Sequence, residues 1–112
     1  MNDMNPFHFH KEIPEKEIVP GFYAKFIHTA HMTIAFVRII KGSVLPEHFH
    51  VHEQVTNVLE GELEMTMGGQ TQLCTKGMSV TIPSNLPHSA VAKTDCLVLD
   101  VFKPVREDYK AL

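Results

Sequence analysis

The stretch Gly42-Ser43-Val44-Leu45-Pro46-Glu47-His48-Phe49-His50-Val51-His52-Glu53-Gln54, running on to Gly61, decides how this chain reads. A second stretch answers it: Gly77-Met78-Ser79-Val80-Thr81-Ile82-Pro83-Ser84-Asn85-Leu86-Pro87-His88. Three histidines and a glutamine, His48, His50, Gln54 and His88, stand at a spacing that suits one metal ion. Alternate residues of a strand face the same way, so His48 and His50 point to one side. Each can offer a ring nitrogen at about 2.0–2.1 Å from a divalent metal.

Spacing sorts the remaining candidates. From His48 to Gln54 a straight strand would run roughly 20 Å, too far for two ligands of one ion. The chain therefore has to turn between them, with Val51, His52 and Glu53 at the corner. His52 has the parity of a ligand, but its place at the bend takes it out of the expected set. His88 comes from a distant strand, which a closed β-barrel brings back across its interior. A second histidine pair, His8-Phe9-His10, lies near the terminus with no glycine-bounded strand behind it. It reads as surface histidines.

The frame around these residues resembles the cupin superfamily, whose motifs run G-x5-HxH-x3,4-E-x6-G and G-x5-PxG-x2-H-x3-N. Gly42, His48, His50 and Gly61 fall in register with the first motif, and Gly77, Pro83 and His88 with the second. The resemblance covers residues 33–103. Three positions depart: Gln54 stands for the glutamate, Asn85 for the glycine after Pro83, and Ala92 for the last asparagine. Asparagine tolerates a left-handed backbone better than most residues, so the change at 85 is mild. Gln54 replaces a charged ligand by a neutral carbonyl oxygen. Such a centre should hold its metal less tightly and polarise a bound oxygen more strongly. Three histidines and a glutamine suit zinc, nickel, iron, manganese or cobalt.

The His-x-His-x-His-Glu-Gln string, with Leu59-Glu60-Gly61-Glu62 after it, looks like the pectin-degradation (KdgF-type) cupins. Their tail pattern stands here as Asp100-Val101-Phe102-Lys103-Pro104-Val105-Arg106-Glu107-Asp108-Tyr109. The resemblance implies an enzyme that converts unsaturated uronic-acid monomers to linear keto acids. It also implies roles for Asp100, Phe102 and Arg106 near the metal, and a homodimer. Two other functions fit the same residues. One is an Fe(II)-dependent cupin dioxygenase, the other a non-catalytic sugar- or metabolite-binding cupin.

Strand 96–102 is apolar on both faces except for Asp100, and an unpaired carboxylate there is costly. Asp100 either lines a cavity or sits at a strand end against a backbone group; it shares a face with Phe102, which favours the cavity. Arg106 has a planar fork that suits a carboxylate. Its alternative is an ion pair with Asp100, Glu107 or Asp108. Met65, Met67 and Met78 read as core.

Bulk properties bound the rest. The chain has 112 residues, 44% of them hydrophobic, which fits one globular domain. Its net charge is −3 with no basic run, which argues against nucleic acid. The apolar stretch Met32 to Val37 breaks at Arg38, too short to span a membrane. No basic-then-apolar leader opens the sequence, so a cytoplasmic location is expected. Cys74 and Cys96 carry no motif and should be reduced and buried.

Residues 1–20 carry three prolines and no periodicity, and read as an extended arm that could lie across a second subunit. Residues 21–112 read as one cupin domain with its motifs at 42–61 and 77–92. β-Branched and aromatic runs at 22–27 and 33–40 flank a turn at Thr29 to His31. Further strands are expected at 54–60, 62–67, 70–75, 77–83, 88–92 and 96–102, with turns at Gly61 and Gly68-Gly69. The fold class is therefore all-β. The family resemblance refines this to a double-stranded β-helix, the jelly-roll barrel.

Overall fold

Alternation between core and solvent dictates the layout. In Thr33–Ile39, the residues Thr33, Ala35, Val37 and Ile39 are buried while the intervening ones are more exposed. The computed structural model describes residues 5–112 and contains ten strands. These are β1 (Lys16–Val19), β2 (Phe22–His28), β3 (Thr33–Ile39), β4 (Val44–His48), β5 (Glu53–Glu60), β6 (Glu62–Met67), β7 (Gln70–Thr75), β8 (Ser79–Ile82), β9 (His88–Ala92) and β10 (Cys96–Lys103). One helical turn, α1 (Glu107–Lys110), follows. Two antiparallel sheets form, ordered β1-β2-β3-β10-β5-β8 and β4-β9-β6-β7. Their inner faces close a jelly-roll sandwich over a core that includes Phe22, Val37, Ile39, Val58, Leu63, Ile82 and Val98. No helix among the described residues is long and apolar enough to cross a membrane.

The expected strands from 22 onward all form, but three features differ from the sequence reading. First, the arm does not stay apart through residue 20. Lys16–Val19 pairs with β2, because Ile18 and Val19 pack against the core. Upstream, Lys25 Nζ donates to the His10 carbonyl at 2.8 Å and Arg38 pairs with Glu15 at 2.9 Å. Residues 1–4 of that arm lie outside the described residues. Second, the strand carrying His48 stops there, after a register shift between Leu45 and His48. His50 lies beyond it, and the bend falls at Val51 and His52, with β5 starting at Glu53. Third, the tail ends in α1, too short for any sequence period to reveal.

Two backbone positions fix the motif loops. Gly61 has φ +91°, and a Cβ there would overlap the Asp95 carbonyl and Cys96. Asn85 takes φ 64°, the left-handed conformation expected of a residue standing in for glycine. Its N–H donates to the His50 carbonyl at 2.8 Å, tying the two motif loops together. Cys74 and Cys96 are free and buried.

Candidate metal centre and its cavity

Strand register brings the histidines together. His48 is paired with His88 across β4 and β9, and His88 with Met67 across β9 and β6. Gln54 sits opposite Phe102 on β10 and Ile82 on β8. His48 and His88 ring centroids are 4.3 Å apart, and His50 and His88 5.0 Å. One ligand atom from each of His48, His50 and His88 lies within 4.8 Å of the others. Small ring rotations convert that spread to the spacing of ligands around one ion, about 3–3.5 Å.

The rings are aimed by the main chain. Nδ1 of His48 faces the Pro46 carbonyl at 2.9 Å, Nδ1 of His50 the His52 carbonyl at 2.9 Å, and Nδ1 of His88 the Leu86 carbonyl at 2.8 Å. A carbonyl only accepts, so each Nδ1 carries the proton and each Nε2 keeps its lone pair. Nε2 of His88, a residue only 2% exposed, is buried with no hydrogen-bond partner. Burial lowers the pKa of His50 and His88, and the positive Arg106 adds to this. Both rings are thus held neutral, the form that binds metal.

Gln54 sharpens the fit. Its Nε2 donates to Thr56 Oγ1 at 2.8 Å, so Oε1 faces His50 Nε2 at 3.0 Å. Two lone pairs at that distance repel. A second proton on His50 would relieve this, but its depressed pKa opposes one. A cation between the two atoms resolves it, so the donor set fits a divalent metal. The three histidines are positioned to hold one, and no single ion type is selected by them.

Behind the metal position lies a cavity between the sheets, and Asp100, Phe102 and Arg106 all line it. Asp100 shares the inner face of β10 with Val98 and Phe102, opposite Ala35 and Thr56. Its Oδ1 is buried without a partner. Burial raises its pKa from 3.8 to about 6, against hydrogen bonds from Thr56 and Gln54 and the charge of Arg106, which pull the other way. Of the two readings of Asp100, the cavity is where the structure places it.

Arg106 adopts one of its alternative pairings. Nε and Nη2 donate to the two oxygens of Asp108 at 2.9 and 2.7 Å. Its Cζ lies 3.8 Å from the Tyr109 ring centroid and 4.8 Å from that of Phe102. Its backbone N–H donates to Thr33 Oγ1 at 2.9 Å, anchoring the tail on β3. Phe102 also meets the His50 ring edge-on at 5.8 Å, so one ring packs on both the imidazole and the guanidinium.

The remaining histidines fall outside the cluster. His52 stacks its edge on His50 at 5.6 Å but is not among the grouped ligand atoms. His8 is exposed, and His10 lies over Phe36 at 4.3 Å. Thr56, which no motif singles out, and Tyr109, which the tail pattern includes without a role, also line the cavity. Thr56 was findable, since it stands two residues from Gln54 on one strand and shares its face. Met65 is core, and Met67 and Met78 pack against it.

Comparisons with known proteins agree with this geometry. The family described as Cupin domain matches residues 35–102. The structure of KdgF from Halomonas sp. is similar at TM-score 0.86 and 30% identity, covering 92% of this chain and 98% of that one. An RmlC-like cupin from Shewanella frigidimarina is similar at TM-score 0.89 and 28% identity, covering 94% of this chain and 96% of that one. Salicylate 1,2-dioxygenase from Pseudoaminobacter salicylatoxidans, in a structure with gentisate, matches at TM-score 0.71 and 25% identity. The match covers 79% of this chain but 26% of the dioxygenase.

Proposed function

Given that this chain belongs to the cupin domain family, we propose that it is a metal-dependent enzyme converting unsaturated uronic-acid monomers to linear keto acids. His48, His50, Gln54 and His88 would hold one divalent ion. That ion, when bound, would supply Lewis acidity toward substrate oxygens. The observation that carries the reading is Asp100: a buried carboxyl with a pKa near 6, in the same cavity as Arg106.

The reaction is an isomerisation, so one proton must leave one atom and arrive at another. The anomeric hydroxyl loses its proton as the bond between the anomeric carbon and the ring oxygen breaks. The electron pair passes to the ring oxygen and through the ring double bond to a carbon, which takes up a proton. A carboxyl titrating near the working pH can accept the first proton and return one to that carbon. Arg106 orients the substrate carboxylate, and Phe102 and Tyr109 give it a dry wall. The Halomonas KdgF likeness over nearly the whole chain supports the same assignment. A cytoplasmic homodimer is part of this proposal.

The test is optical. Ketonisation removes the double bond conjugated with the carboxylate, so its ultraviolet absorbance should decay faster with metal-loaded protein. No acceleration over buffer with several unsaturated uronates would overturn the proposal. The all-neutral donor set leaves a second reading, an Fe(II)-dependent dioxygenase, which oxygen consumption with Fe(II) would reveal.

A further inference from the structure

Among the described residues Arg106 is the only lysine or arginine lining the cavity, and it is already half engaged. Asp108 takes the Nε–Nη2 edge of its fork through two short hydrogen bonds. The Asp108 side chain is 58% exposed while that of Arg106 is 9% exposed. The carboxylate therefore caps the guanidinium from the solvent side. The flat face rests on Tyr109, so the group is held in plane as well as at its edge. Five N–H donors less two leave three, both of Nη1 and the second of Nη2, at the Nη1–Nη2 end of the fork.

We propose that Asp108 is a positioning residue that sets specificity: it turns the free Nη1–Nη2 end of Arg106 into the cavity and trims the site's charge to suit one carboxylate rather than a phosphate. The inference rests on the proposed uronate reading and deepens it. A guanidinium paired with a carboxylate keeps its donors but carries little net charge. A planar monoanionic carboxylate needs two parallel donors and one balancing charge, which the free edge and a divalent ion supply. A phosphate dianion needs more positive charge than this wall provides. Asp100, which lines the same cavity, adds repulsion, and no other Lys or Arg among the described residues lines the cavity to offset it.

The experiment measures binding apart from turnover. Calorimetry on the metal-loaded protein compares D-galacturonate, a saturated uronate that does not react, with galactose 6-phosphate. The parent protein should favour galacturonate. In Asp108→Asn, which cannot accept both donors as an anion, galacturonate affinity should fall about tenfold with metal content unchanged. The preference over the phosphate should narrow, because the guanidinium charge is released. Asp108→Glu, which keeps the carboxylate, should restore part of both. A merely structural Asp108 would weaken both ligands together and leave their ratio intact, and that result overturns the proposal. So does unchanged galacturonate binding in Asp108→Asn. Turnover of unsaturated uronates with binding indifferent to Asp108 would sink the clamp and spare the reaction. Asp108-dependent carboxylate binding without turnover would support the clamp and sink the reaction.

Discussion

Replacing Asp100 with asparagine should stabilise the metal-free protein at pH 8 and give no such gain near pH 4. In the unfolded chain this carboxyl titrates at its ordinary 3.8, and in the fold at about 6. Below the lower value both states hold the proton and burial costs nothing extra. As pH rises through this window the unfolded chain releases its proton first, so stability falls, and above about 6 the loss is complete. At about 1.4 kcal/mol per pH unit the loss has a ceiling of roughly 3 kcal/mol. Water in the cavity screens part of the charge, so about 1–2 kcal/mol is the expected difference. For a chain of this size that is about 4–8 °C in Tm. Chelator-treated parent and Asp100→Asn would be melted in parallel from pH 4 to pH 8. Any cost of the amide itself is the same at both ends, so the change in the difference isolates the charge. A difference that stays flat across the range would refute the buried-carboxyl reasoning.

Three further outcomes follow from the same geometry. His50→Ala and His88→Ala should each lose metal by elemental analysis, while His52→Ala keeps it; unchanged stoichiometry in the first two would remove the site. Gln54→Glu should bind metal about tenfold more tightly, since an anionic ligand offsets the dication; weaker binding at neutral pH would contradict this. Gly61→Ala should destabilise the fold by about 2–4 kcal/mol in denaturant titration, because its left-handed backbone and its approach to Asp95 both resist a Cβ.

Much of the site was legible because its parts are spaced by strand and turn geometry. Gly42, Gly61 and Gly77 mark turns with positive φ, and the strands that follow or precede them carry His48, Gln54 and His88 to inner faces. The corner expected from distance alone over Val51, His52 and Glu53 falls at Val51 and His52, with Glu53 already in β5. Less legible was anything set by a short or irregular segment. Lys16-Glu17-Ile18-Val19 is half charged, so its pairing with β2 depends on tertiary packing that no local signal announces. The choice among partners for Arg106 turned on the path of the tail after Pro104. That path is fixed by a hydrogen bond to Thr33, 73 residues earlier, which local sequence does not encode. Asp100 gave the right face but not the shift in its acidity, which arises from walls contributed by several strands.

The carbonyls of Pro46, His52 and Leu86 that aim the three imidazoles belong to the main chain. No side-chain exchange at those positions deletes an acceptor. The aim of the three rings is thereby independent of which side chains stand at those three positions. Among the cavity positions, Phe102 packs on the His50 ring and Arg106 lowers the pKa of His50 and His88, so those two are tied to this mount of rings in a way that position 109 is not. The mount has one vulnerable point, the bend at Val51 and His52, where a one-residue deletion would swing the His52 carbonyl away from His50 and release that ring from its bearing.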